Sequence, residues 1–260
     1  MSLHLGERRR AMLAEMGVRV FAPLAPVAEA APPRPPPDRA SAGGAPPVLR
    51  PDARGVDPRP AAAVALDARA GGIDLMQWDE LAQAVASCRA CKLCAGRRNT
   101  VFGVGDRQAD WLIVGEAPGE NEDIQGEPFV GQAGRLLDNM LKALGLDRRH
   151  KVYIANVLKC RPPGNRNPQP EEVAQCEPFL RRQVQLLQPR IILAMGRFAV
   201  QSLLGTSEPI GKLRGRGHTY LGVPVVVTYH PAYLLRNLPD KGKAWADLCL
   251  ALELMSTQPA

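Results

Sequence analysis

Six cysteines are spread unevenly along the 260 residues, and their spacing could hold metal. Cys88-x-x-Cys91, together with Cys160 and Cys176, sets two nearby thiolates against two from a distant segment. Iron–sulfur clusters and structural zinc both use four cysteine ligands, so spacing alone does not choose between them. Cys94 extends the first pair to Cys88-x-x-Cys91-x-x-Cys94, as a ferredoxin motif begins, but Ala95, Gly96, Arg97 and Arg98 follow where its fourth cysteine should come. One of the three neighbouring cysteines is then a spectator. Cys249 lies in an amphipathic C-terminal segment and reads as a buried core thiol.

Three other segments carry reactive groups. Gly115-Glu116-Ala117-Pro118-Gly119-Glu120-Asn121-Glu122-Asp123 sets glycines on both sides of a proline and supplies four acids. The glycines allow close approach of backbone to a ligand. The acids would repel phosphate, and no Gly-Lys-Ser/Thr follows, so this is no phosphate-binding loop. Carboxylates here suit water activation or the stabilisation of a cationic transition state. Asn156 interrupts the apolar run Ile154-Ala155-Asn156-Val157-Leu158, and a buried amide needs partners that a base edge could provide. His230 begins a His-Pro-Ala-Tyr-Leu-Leu-Arg run that ends at Arg236.

The elements that must position these residues alternate. Asp74 is expected to cap a helix through Trp78, Leu81 and Val85. Strands are expected at Trp111–Val114, Val152–Leu158, Ile191–Met195 and Val223–Thr228, and helices at 131–145, 171–187, 197–204 and 238–255. Short, continuously apolar strands between helices predict an α/β fold of three layers, α/β/α, around a mostly parallel four-stranded sheet. Ligands bind such sheets at the carboxyl ends of the strands, which selects the loops 115–130, 156–168 and 229–236.

Twelve prolines fall between Pro23 and Pro60, and no aromatic residue occurs between Phe21 and Trp78. Such a segment cannot bury enough apolar surface to offset its ordering entropy, so 22–72 is expected to be a disordered linker ahead of a domain at 73–257. Residues 1–21 read as a short amphipathic helix, with Leu5, Met12, Leu13, Met16 and Val20 on one stripe, which either docks on the folded unit or binds another protein. The net charge of +7 fits a polyanionic partner. No apolar run would span a membrane, and no apolar segment follows the basic N-terminal residues as in a secretory signal. The expected location is cytoplasmic, at the nucleoid, where thiols stay reduced.

Taken together, the motifs resemble the family 4 uracil-DNA glycosylases, the iron–sulfur-containing, thermophile-type branch of that superfamily. The residues that carry the resemblance are Gly115–Asp123, Glu127–Gly131, Asn156 with Lys159–Pro163, and His230–Arg236, with Cys88, Cys91, Cys160 and Cys176 at the family's cluster spacing. The resemblance implies a hydrolase of N-glycosyl bonds that flips deoxyuridine from single- or double-stranded DNA, and a [4Fe–4S] cluster on those four cysteines, with Cys94 the spectator. It implies catalytic roles for Glu116, Asn156 and His230, and a uracil pocket of Gly115, Ala117, Gly119, Glu122, Phe129 and Asn156. Glu122 would crowd the uracil C5 position and exclude thymine. Pro118, Arg161, Arg166, Pro231 and Arg236 would face DNA, with Leu234 and Leu235 as a wedge. Better-known uracil glycosylases carry aspartate at the position of Ala117 and tyrosine at that of Gly119; both departures are usual for family 4. The stretch Gly211–Gly217 lacks the basic insert of a covalently trapping branch, so turnover is expected. The chain is expected to act as a monomer. A non-catalytic DNA-binding module of the same fold would explain the charge and the cysteines, but not the gathering of Glu116, Asn156 and His230 at strand ends. The separated cysteine pairs and the acid-and-amide pocket argue against a third reading, an iron–sulfur electron carrier.

Overall fold

The computed structural model describes residues 71–257. The expected helix at 1–21 and the linker up to residue 70 lie outside the described residues. Residues 71–74 are helical, so Asp74 ends a helical turn rather than capping the next helix. Its carboxylate pairs with Arg181 at 3.1 Å. Helix α1 (Trp78–Ala86) starts instead at Gln77, whose N–H donates to Glu80 Oε2 at 2.8 Å.

The order continues with β1 (Val104–Gly105), β2 (Trp111–Gly115), α2 (Glu120–Gln125), α3 (Gly131–Ala143), β3 (Val152–Asn156) and α4 (Pro170–Leu187). Then come β4 (Ile191–Met195), α5 (Arg197–Leu204), α6 (Ile210–Leu213), β5 (Gly217–Tyr220), β6 (Val223–Thr228), α7 (Pro231–Arg236) and α8 (Lys241–Thr257). One sheet has the order β1-β3-β2-β4-β6-β5. The four expected strands form its parallel centre, and β1 and β5 add antiparallel edges, so the sheet has six strands rather than four. A two-residue strand shows no period, and β5 alternates exposed and half-buried positions, so neither edge has an apolar run to reveal it.

Every residue of β2, β3 and β4 is buried. Their side chains alternate between two apolar layers, as period-2 geometry requires. Ile113, Ile154, Leu193 and Val226 meet Leu137, Met140 and Leu141 of α3 and Trp245 and Leu248 of α8. Leu112, Ala155, Ile192 and Val227 meet Leu180 and Val184 of α4 and Val200 and Leu203 of α5. The three-layer arrangement follows. Parallel pairing sets Gly115 beside Asn156 and Met195 beside Thr228, so four strands end along one edge, which collects the reactive loops. No helix among the described residues is long and apolar enough to cross a membrane.

Leu112 is fully buried at the sheet centre. Leu112→Ala should cost about 2–5 kcal/mol of unfolding free energy in urea denaturation, with the two-state slope unchanged. A cost below 1 kcal/mol would contradict the packing described.

Candidate active site

Glu116 leaves β2 and turns its carboxylate toward the start of α5, where Oε1 accepts the Phe198 N–H at 3.0 Å. Burial pushes its pKa up, and the backbone donors and charge at Arg197 and Phe198 oppose the rise. Gly196 precedes α5 with φ +95°, and a Cβ there would sit 2.5 Å from Glu116 Oε1 and 3.1 Å from His230 Cβ. Only glycine lets these two loops approach so closely. The loop after the third expected strand was not among those selected from sequence. The carboxyl-end rule applies to it equally, and Gly196 directly after an apolar run is the signal.

Glu122, in the first turn of α2, accepts the N–H groups of Gly119 and Phe129. Burial raises its pKa against those donors and Arg148. Phe129 is 1% exposed and holds φ +53°, a left-handed conformation unusual for an aromatic residue. Arg148 fixes the other side of this turn, donating to the Pro128 carbonyl at 2.9 Å and to the Phe129 carbonyl at 3.4 Å. A Cβ at Gly134 would overlap the Phe129 carbonyl. Arg148 and Gly134 thus belong to the site, although their spacing carried no sign of it.

The Phe129 ring stacks on the His230 ring with centroids 5.2 Å apart and planes 24° apart. A Cβ at Gly115 would lie 2.6 Å from the Phe129 ring and would also strike Asn156 Oδ1. Asn156 is 1% exposed, and neither Nδ2 nor Oδ1 has a hydrogen bond. His230 caps α7, its Nδ1 accepting the Ala232 N–H at 3.1 Å. Because Nδ1 accepts, the neutral ring carries its proton on Nε2. Burial, with Arg236 nearby, lowers its pKa to about 4.

Glu116, Ala117, Pro118, Gly119 and Glu122 form one side of a groove of about 920 Å³, and His230 and Arg236 lie across it. That is the upper end of ligand pockets, which span roughly 300–1,000 Å³, and leaves room beyond a single base. Pro118 and Pro231 are themselves buried, and Arg236 is exposed. Arg166 lines the groove but binds the buried Glu172 carboxylate at 2.5 and 2.9 Å, so its charge is largely matched. Arg161 lies near Glu120 at 3.6 Å and donates to Asn165 at 2.7 Å. Leu234 corrects an expectation. It is fully buried in the α3–α8 layer and cannot wedge into DNA, whereas Leu235 is 39% exposed. Adjacent side chains of a helix point about 100° apart, so in α7 Leu234 faces the core while Leu235 faces out.

The cysteines meet elsewhere. Cys88, Cys91, Cys94, Cys160 and Cys176 line one small cavity, roofed in part by Arg97 and Phe179. Arg97 Nη1 donates to Cys160 Sγ at 3.2 Å. Burial pushes up the Cys91 and Cys160 thiols and takes Cys176 to about 12. Among the described residues no three Cys, His, Asp or Glu side chains converge as ligands of a single ion would. Ala117 of the acidic loop packs against Leu93, Cys160 and Cys176, which joins the two sites.

Comparison with known proteins adds a family. Residues 102–249 match a family model described as the uracil DNA glycosylase superfamily. The chain is similar to a type-4 uracil-DNA glycosylase of Saccharolobus solfataricus, 42% identical over 190 residues, covering 70% of this chain and 88% of the relative. It is 46% identical over 159 residues to one of Thermotoga maritima, covering 60% and 82%. A type-5 uracil-DNA glycosylase of Thermus thermophilus is 31% identical over 191 residues, covering 60% and 87%.

The neutral His230 can be tested directly. Its ring resonances should titrate with a midpoint near 4 in an NMR pH series, and a midpoint near 6.5 would contradict the buried, Nδ1-accepting ring. The sign for stability follows. Between about 6.5 and 4 the unfolded chain takes up a proton that the folded chain refuses, so stability falls as pH drops through that window.

Proposed function

The chain belongs to the uracil-DNA glycosylase superfamily, in its type-4 branch, and on that premise we propose how its residues remove uracil from DNA. The enzyme hydrolyses the N-glycosidic bond of deoxyuridine, leaving an abasic site for base excision repair. The observation that carries this reading is Asn156, a buried amide at a strand end whose donor and acceptor both lack partners. Uracil offers the matching pair, with its N3–H to Oδ1 and its O4 from Nδ2. Cytosine presents the reverse pattern on the same edge.

A base inside a duplex cannot reach such an amide, so the nucleotide must leave the stack. Leu235 fits the space the base vacates, and Arg236 and Arg161 face the phosphates. Phe129, locked in its left-handed turn, supplies the ring on which uracil stacks. Glu122, Ala117 and Gly119 border the base, and the Glu122 carboxylate, fixed by two N–H groups, crowds C5 against a thymine methyl. As the glycosidic bond breaks, negative charge grows on the uracil oxygen facing His230. The Nε2–H of a neutral, preoriented imidazole stabilises that charge without reorganising. Glu116 stands where it can orient water and stabilise the oxocarbenium-like sugar.

Cys88, Cys91, Cys160 and Cys176 would hold a [4Fe–4S] cluster, with Cys94 the spectator. Bound there, the cluster supplies a covalent tie between the end of α1 and the segment leading into α4. The protein acts as a monomer on single- and double-stranded DNA at the nucleoid in the cytoplasm. Residues 1–21 serve as a tethered motif for a replication or repair protein.

Purified protein should release free uracil from single- and double-stranded oligonucleotides, and no release would end the enzymatic reading. Asn156→Asp should lower that release by about 10²-fold and raise the cytosine-to-uracil ratio. Unchanged excision would remove Asn156 as base reader.

The metal is checked separately. The protein should be brown with four irons per chain, Cys94→Ala should keep them, and Cys176→Ala should lose them. Colourless, zinc-loaded protein would sink the cluster assignment.

A further inference from the structure

Behind Asn156 lies a buried lysine that the chemistry above does not use. Lys159 is 1% exposed. Its Nζ donates to the Asn156 carbonyl at 2.8 Å, to Gln183 Oε1 at 2.6 Å and to the Phe102 carbonyl at 3.4 Å. Gln183 is fully buried, and its Nε2 donates to the same Phe102 carbonyl at 2.9 Å. Burial lowers the Lys159 pKa to about 7, and the three acceptors around Nζ match the three donors of its ammonium form. A lysine out of water is unfavourable unless its donors are met, so this network is closed rather than incidental.

The Asn156 amide has no hydrogen bond of its own. Its placement must therefore come from packing at Gly115 and from the main chain behind it. β3 ends at Asn156, and three residues later the Lys159 side chain reaches back to that residue's carbonyl. Gln183 stands on α4, so the anchor ties the strand end to the helix that covers the sheet. Lys159 also directly precedes Cys160, which places the anchor between the base reader and the cysteine cavity.

We propose that Lys159, held by Gln183, is a positioning residue that anchors the main chain at Asn156 and so keeps the amide in reading geometry. The inference rests on the base-reading role given to Asn156 above. Misplacing a reacting group by about 1 Å costs on the order of 10²-fold in rate, so a weakened anchor should appear in the chemical step.

The test uses the full, metal-loaded chain. Lys159→Met keeps the volume and removes the donors. Single-turnover uracil excision at saturating enzyme should fall about 10- to 100-fold. The half-saturating enzyme concentration should stay within about twofold, since the groove that holds DNA is untouched. Gln183→Met removes one of three acceptors and should show a smaller loss of the same kind. A merely structural role would instead lower the folded fraction or metal content and leave the rate per folded, loaded molecule unchanged. That result overturns the proposal, as does wild-type excision by Lys159→Met. If Lys159→Met does not fold, a folded, fully loaded Gln183→Met with an unchanged single-turnover rate overturns it alone. Wild type separates the two claims: no uracil release by wild type defeats the base-reading assignment, whereas active wild type with unaffected variants defeats only the anchor.

Discussion

The site depends on where one buried amide is held. A donor or acceptor buried without a partner costs about 1–3 kcal/mol, and no protein group among the described residues meets the Asn156 amide, which leaves it for a partner from outside the chain. Gly115 on one side leaves just enough room for the amide and the Phe129 ring, and Lys159 holds the main chain on the other. Three strands buried along their whole length supply the stability that offsets the cost. The parallel register then fixes which residues neighbour the amide, since Gly115 pairs with Asn156 at the last position of both strands.

Phe129 follows the same logic in its backbone. A bulky residue at φ +53° is strained by roughly 1–3 kcal/mol and persists only when its surroundings over-determine it. Glu122 takes its N–H, Arg148 takes its carbonyl, and Gly134 leaves space for that carbonyl against α3. The ring is thereby set before any ligand arrives, against a histidine whose tautomer is also set in advance. Both rings are thus placed by the protein's own contacts, the kind of preorganisation that makes polar groups effective in catalysis.

The parallel centre of the sheet was legible because doubly covered strands must be continuously apolar, and Ile191–Met195 and Trp111–Val114 are. The edges were not, because a strand of two residues or of alternating exposure has no such signature. Glu116, Asn156 and His230 stood out as polar residues at the ends of apolar runs, and the fold brings them to one edge. What supports them did not stand out. Arg148 acts through backbone carbonyls far along the chain, and Gly134 and Gly196 act by the absence of an atom. Leu234 and Leu235 are indistinguishable as residues, and only the docking of α7 on the core decides which is buried.

Four acids in the loop after β2, three of them lining the groove, stand against the basic net charge, and their contacts account for most of them. Glu122 is turned onto the N–H groups of Gly119 and Phe129. Asp123 is 2% exposed and accepts the Arg98 N–H at 2.9 and 3.1 Å. Glu120 is exposed, but Arg161 lies 3.6 Å away. Glu116 lines the groove, held by the start of α5 through the Phe198 N–H, with Arg197 the nearby cation. Phosphates therefore meet matched charge along most of this loop. On the reading proposed above, that carboxylate would stand beside the sugar, in partly desolvated surroundings that strengthen its attraction to a cation. The acidic loop would then repel the DNA backbone little while placing one carboxylate at the bond to be broken.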